Sequence, residues 1–213
     1  LITSLAAILA CVVCFRQEAT LFSGAYRVDL FSQLLKLVFA GGFTLILLLS
    51  GDVEDIREDI KAEYFFFLTL SVAGLAMLVS CVDIITLVIA LEVSAFPLYF
   101  MVAMRREREG QRTQMESAIK YIMFGVAANG LMFFGMSYLF GLTGTTSLAD
   151  LLPRLQPVGD SPMAIVGLAL TFCGLYYKLA IFPFHFWTPD VYQGASNETA
   201  GLIASLPKLG AVA

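Results

Sequence analysis

Charge is the first scarcity. The 213 residues include 13 Lys and Arg and 17 Asp and Glu, so 14% are charged, where a soluble domain carries about a quarter. So little charge cannot cover a globular surface. With 59% hydrophobic residues and a mean hydropathy of +0.82, the expected class is a polytopic membrane protein. Nor is there a basic excess: the net charge is −4, so no nucleic-acid partner is expected. Histidine is scarcer still, with His185 alone, and there are four cysteines, at 11, 14, 81 and 173. One histidine and one CxxC do not make a zinc or iron–sulfur ligand set. Cys11 and Cys14 lie in the apolar run "LAAILACVVCF", where cysteine behaves as a small hydrophobe. Also missing are a glycine-rich phosphate loop, a GxSxG and an HExxH, so no soluble-enzyme site is expected. The chain has no basic leader with a cleavage site, which argues against a signal peptide. It begins with Leu inside one apolar run and stops inside another, and both ends read as cuts in a longer protein.

The charges that exist are clustered. "GDVEDIREDIKAE" (51–63) holds eight and "RREREGQRTQME" (105–116) holds seven. Between them lie long apolar runs. A bilayer core of about 30 Å needs roughly 20 helical residues at 1.5 Å each. Seven candidate spans result, near 1–15, 30–50, 62–82, 83–104, 114–141, 161–189 (interrupted) and 197–213, with short connections and no soluble domain. Positive charge sets orientation. Alternation places Arg57, Lys61, Arg105, Arg106, Arg108 and Arg112 on one side, the cytoplasmic one, and Arg16, Arg27 and Arg154 on the other. In the fifth span, Gly125, Ala128, Gly135 and Gly141 among large side chains predict close helix packing.

Ionisable residues inside the spans demand a reason. Glu92 lies nine residues past Asp83, about 14 Å into its span. Lys178 is deep in the sixth span, Lys208 is well inside the seventh, and Lys120 is some two turns into the fifth. Lys36 is near enough to a helix end to snorkel along its methylene stem. A midplane charge costs about 2.5–3.5 kcal/mol, so these groups should pair or meet water. Burial disfavours an ammonium and a nearby carboxylate favours it, so a lysine between the two can load and release a proton. Structural ion pairing is the rival reading.

"YYKLAIFPFHFWTPDVYQG" (176–194) adds a broken helix. Pro183 removes a backbone donor and obstructs the preceding turn, so a break is expected near Leu179–Phe182. Freed carbonyls at membrane depth are tolerated where they face protein or a watered cavity. Lys178 and His185, seven residues and two helical turns on, should flank such a cavity; Pro207 before Lys208 hints at a second irregular helix. Histidine, with an unperturbed pKa near neutrality, suits a transfer step.

"KLAIFPFHFWTPDVYQGA", "ALEVSAFPLYFMVA" and "ESAIKYIMFGVAANGLMFFGMSYLFGLTGTTSL" together resemble the antiporter-like, proton-translocating membrane subunits of respiratory complex I, the NADH-quinone oxidoreductase. "WTPDVYQGA" is most similar to the subunit N branch. The resemblance covers most of residues 62–213 and implies an all-α bundle of inverted repeats, each with a discontinuous helix. Residues 1–61 would be N-terminal transmembrane helices and 62–213 the first repeat, truncated in its last helix, with the second absent. It further implies that the proton-translocating residues are Glu92, Lys120, Lys178, His185 and Lys208, and that the chain carries no cofactor. Implied partners are the neighbouring subunit M, small subunits such as K, A and J, and the lipid of a bacterial inner membrane. "GASNETA" departs from the family where many members have a proline after the alanine. A cation/proton antiporter subunit, a membrane-bound hydrogenase subunit and a purely structural membrane spacer remain the alternatives.

Overall fold

The computed structural model describes residues 1–107 and 113–213, so the orientation argument from Arg108 and Arg112 lies outside the described residues. In chain order the elements are α1 (Ile2–Val13), a hairpin of β1 (Ala19–Leu21) and β2 (Tyr26–Val28), α2 (Leu30–Leu49), α3 (Lys61–Leu78), α4 (Ile84–Ala103), α5 (Thr113–Thr143), α6 (Leu148–Leu155), α7 (Pro162–Leu179), α8 (Thr188–Gly194) and α9 (Asn197–Val212). Among them α2, α3 with its preceding turn, α4, α5 and α7 are long and apolar enough to cross a membrane. The runs at the two ends of the chain give the shorter α1 and α9, with 12 and 16 residues.

Capping fixes where helices begin. Asp29 accepts from the Ser32 backbone N–H at 2.8 Å, and Ser32 Oγ accepts in return from the Asp29 N–H at 2.9 Å. Asp83, Ser161 and Ser196 cap α4, α7 and α9 with their side chains. The Ser32 N–H holds the Asp29 carboxyl below the usual carboxylate range. A lowered folded-state pKa means that this contribution is complete above the unfolded value, near pH 4, and fades as pH falls through the folded one. Asp29→Ala is therefore expected to cost about 1 kcal/mol at pH 7. Thermal unfolding in detergent should show the gap to wild type closing on acidification below the ordinary aspartate range.

The helix ends sort into two groups. At one end Arg106 N–H donates to Asp55 O at 2.6 Å, Arg105 approaches the Asp55 carboxylate at 3.7 Å, and Arg105 Nη1 donates to Gln193 O at 2.6 Å. At the other, Arg27 N–H reaches Ser80 O at 2.8 Å, Ile84 N–H reaches Thr146 O at 2.8 Å and Leu148 N–H reaches Val82 O at 2.9 Å. Arg57, Lys61, Arg105 and Arg106 thus share one end, and Arg16, Arg27 and Arg154 lie towards the other, as alternation requires. The connections are less bare than the sequence suggested. The first holds the hairpin and another holds α6, whose Leu155 is buried and whose Arg154 donates to Thr143 O at 3.2 Å.

Burial follows helix faces. Tyr64 and Leu75 of α3, Leu91 and Leu98 of α4, Met132 of α5 and Leu202 of α9 are buried together, while Phe66, Phe96 and Phe134 look outward. An apolar outer face is what lipid requires. Close approach depends on missing side chains. A Cβ at Gly135 would clash with the Thr171 backbone N and sit 2.6 Å from Gly167 O, so α5 and α7 touch main chain to main chain. At Gly74 a Cβ would similarly strike the backbone of Ser94 on α4, and at Gly125 the Tyr99 hydroxyl. Gly141, grouped with Gly125 and Gly135 by sequence, has nothing within 4 Å.

Candidate functional site

Near Pro183 the seventh helix ends where proline chemistry requires. α7 stops at Leu179, and Ala180 turns into the left-handed region at φ 56°. Its N–H bonds Tyr177 O at 3.0 Å and the Ile181 N–H bonds Tyr176 O at 3.0 Å, which satisfies carbonyls that a continued helix would have used. Eight residues of turn follow, and Thr188 starts α8 with Pro189 in its first turn. The gap is bridged by Trp187, which is 2% exposed and donates Nε1–H to Tyr177 O at 3.1 Å. Its indole stacks on Tyr121 with centroids 4.8 Å apart, and Tyr121 meets Tyr99 edge-on at 4.7 Å. The Tyr177 hydroxyl donates to Tyr121 O at 3.0 Å.

Lys178 lies beside this aromatic wall. It lines a small cavity of about 20 Å³ with Ser94, Tyr99, Tyr121, Trp187 and Pro207. One water needs about 10–15 Å³ of such space. Among the described residues the Lys178 ammonium has no hydrogen-bond partner. The carboxylate of Glu92 on α4 exerts its charge on Lys178 without closing to an ion pair. Glu92 itself is held from α5, where Asn129 Nδ2–H donates to Glu92 Oε1 at 2.6 Å.

Lys120 is differently placed. Its ammonium is 2.7 Å from Glu116 Oε1 and 2.7 Å from Asp190 Oδ2, and it is 39% exposed. It joins α5 to α8 near the membrane end where Arg105 holds Gln193. Ser117 Oγ donates to Asp190 O at 2.7 Å, a second tie between the same helices. Lys208 of α9 lies over the Tyr192 ring of α8, 5.7 Å from its centroid. Two hydroxyls on α8, of Thr188 and Tyr192, are buried with no partner among the described residues. Lys36 lies 5.0 Å from the Tyr26 ring centroid, at the membrane end where snorkelling would carry it.

The structure therefore places Lys178 within the electrostatic reach of Glu92, sets Lys208 against α8 and ties Lys120 to α8. It does not bring His185 to Lys178. His185 is exposed, its ring 5.7 Å from that of Phe182. The two-turn stacking of 178 on 185 fails because the helix between them ends at Leu179. Asn129 and Asp190 were missed as site residues: each is a polar group in an apolar or aromatic run, and that was the available signal. Among the described residues no three His, Cys, Asp or Glu gather as a metal site, and all four cysteines are free thiols.

Residues 81–213 match the model of the family described as NADH:quinone oxidoreductase/Mrp antiporter, TM. The chain is 66% identical over 211 residues to NADH-quinone oxidoreductase subunit N 2 of Opitutus terrae, covering 99% of this chain and 44% of that protein. It is 44% identical over 206 residues to the protein of the same name in Solidesulfovibrio magneticus, covering 96% and 43%. The chain thus spans less than half the length of these curated relatives. Among solved structures, a chain of respiratory complex I from Thermus thermophilus with bound aureothin superposes with a TM-score of 0.80 at 26% identity, covering 99% of this chain and 44% of that one. A chain of the Mrp complex from Dietzia sp. gives 0.82 at 18% identity, covering 99% and 41%, which speaks to the fold alone.

Proposed function

Because the chain belongs to the NADH:quinone oxidoreductase/Mrp antiporter transmembrane family, we propose that it works in the membrane arm of a proton-pumping NADH:quinone oxidoreductase. There it moves protons through Glu92, Lys120, Lys178, His185 and Lys208 while quinone is reduced elsewhere in the complex. The observation that carries this reading is the Lys178 ammonium, unpaired beside a helix break with room for one water, under the field of Glu92. A buried ammonium is costly without an opposite charge. While Glu92 is ionised it retains Lys178's proton. When that negative charge is compensated, the proton has reason to leave. Lys178 exchanges with the cytoplasmic side, where Lys120 and its two carboxylates stand at the end bearing Arg57, Lys61, Arg105 and Arg106. Lys208 and His185 hand the proton laterally, Lys208 from its seat on Tyr192 and His185 from its outward turn.

On this reading residues 62–213 form the first antiporter-like repeat and 1–61 the helices that precede it. The neighbours are other membrane-arm subunits, M and small ones such as K, A and J, in a bacterial inner membrane. An antiporter subunit is the second reading, since the family's description includes Mrp antiporters. The curated relatives favour the oxidoreductase.

Glu92→Gln tests the proposal in the full-length subunit within its complex. Proton uptake by inverted membrane vesicles is expected to fall about tenfold, the factor that 1.4 kcal/mol makes, while assembled complex stays abundant. A structural spacer would show the reverse, lost assembly with unchanged transport per complex. Uptake at the wild-type rate would end the reading.

A further inference from the structure

Asn129 is only 5% exposed, in the middle of the 31-residue α5. One half of its amide is used and the other is idle. Nδ2–H donates to Glu92 Oε1 at 2.6 Å, the short distance expected of a bond to a charged acceptor, while the buried Oδ1 has no partner among the described residues. An unsatisfied carbonyl at this depth carries a desolvation cost. Leucine has nearly the same size and would fill the space without one, so packing alone does not account for an amide here.

We propose that Asn129 is a proton-responsive positioning residue for Glu92, its amide donating to the carboxylate and turning over to accept from the carboxylic acid. The proposal rests on the reading of Glu92 as part of the proton path. An ionised carboxylate only accepts hydrogen bonds, so the NH₂ faces it. Once protonated, the same group carries an O–H that must donate. A half-turn about the terminal amide torsion, which is broad and nearly two-fold, swings the idle Oδ1 to that O–H. Both protonation states of Glu92 are then held in one place, and its distance to Lys178 does not drift as the proton comes and goes.

The surroundings leave this task to Asn129. From α7 the facing charge is Lys178, and from α4 itself it is the Tyr99 phenol. On α3, Ser71 Oγ is occupied by Ser94 O at 2.8 Å. On α8, Asp190 is taken by Lys120, and on α9 Lys208 is against Tyr192.

The test uses Asn129→Leu and Asn129→Asp in the full-length subunit, assembled in its complex, with pumping per complex measured against pH. Losing the donor makes ionised Glu92 harder to keep. The acid limb of the profile for Asn129→Leu is therefore expected to move about one pH unit upward. Asn129→Asp should move it further the same way, because a second carboxylate opposes ionisation of the first. Difference infrared spectra should also show the Glu92 carboxylic C=O band, identified by its loss in Glu92→Gln, at higher frequency in Asn129→Leu. Unshifted pH profiles and an unmoved band overturn the proposal, as does failure of both variants to accumulate, since packing would then be the whole role. Unshifted profiles beside an inactive Glu92→Gln sink the Asn129 proposal alone. A fully active Glu92→Gln sinks the reading on which it rests.

Discussion

Lys178→Met, placed in the full-length subunit and assembled in its complex, is expected to lower proton pumping by at least about tenfold while complex accumulates at the wild-type level. Methionine matches the aliphatic stem of lysine and brings no charge. Among the described residues the ammonium makes no hydrogen bond or ion pair, so its removal orphans no partner. Taking a cation that makes no direct contact out of a membrane interior should cost folding little. Assembly and transport should therefore come apart in this one variant. Quenching of a fluorescent amine in inverted vesicles, divided by the amount of complex present, measures the first quantity against the second. Wild-type quenching by Lys178→Met removes Lys178 from the path.

The second large effect concerns assembly. Gly135→Val is expected to prevent stable packing of α5 on α7, because the new Cβ meets Gly167 O at 2.6 Å and the Thr171 backbone, neither of which can rotate away. Overpacking of this kind costs about 1–3 kcal/mol, and more where main chain must shift. Gly141→Val, on the same helix and with nothing within 4 Å of the added Cβ, should accumulate normally. Native gels of membranes carrying each variant would show the contrast. Equal recovery of the two would mean that α5 and α7 do not need their contact.

Hydropathy and proline carried the sequence reading a long way. Long apolar runs announced α2 to α5, and Pro183 put the break at Leu179–Phe182, where α7 ends at Leu179, because each of these signals acts locally through a length requirement or a missing N–H. The hairpin escaped because its strands have three residues each and lean on bonds to Ser80 and Val82 that no local pattern encodes. α6 escaped because eight residues are too few for a periodicity to stand out. Glu92 and Lys178 were legible as costly charges that needed one another or water, but the absence of a direct bond between them was not. His185 shows the limit most clearly. Counting seven residues as two turns assumes a helix, and the same Pro183 that drew attention to the segment goes with a turn that voids the count. Asn129 was passed over because the small residues around it explained α5 well enough without it.

The seven residues of α8 are too few to hold a helix by their own bonds, so their fastenings decide how they behave. Trp187 moors the start to Tyr177 O, Ser117 and Lys120 grip Asp190 midway, and Arg105 hooks Gln193 at the close. A segment tied at once to α5, to α7 and to the chain just past α4 should behave as one strut with them. The elbow at 180–186 is held mostly by bonds within its own neighbourhood and by Phe186 against Phe124, so of the two it should yield first under strain.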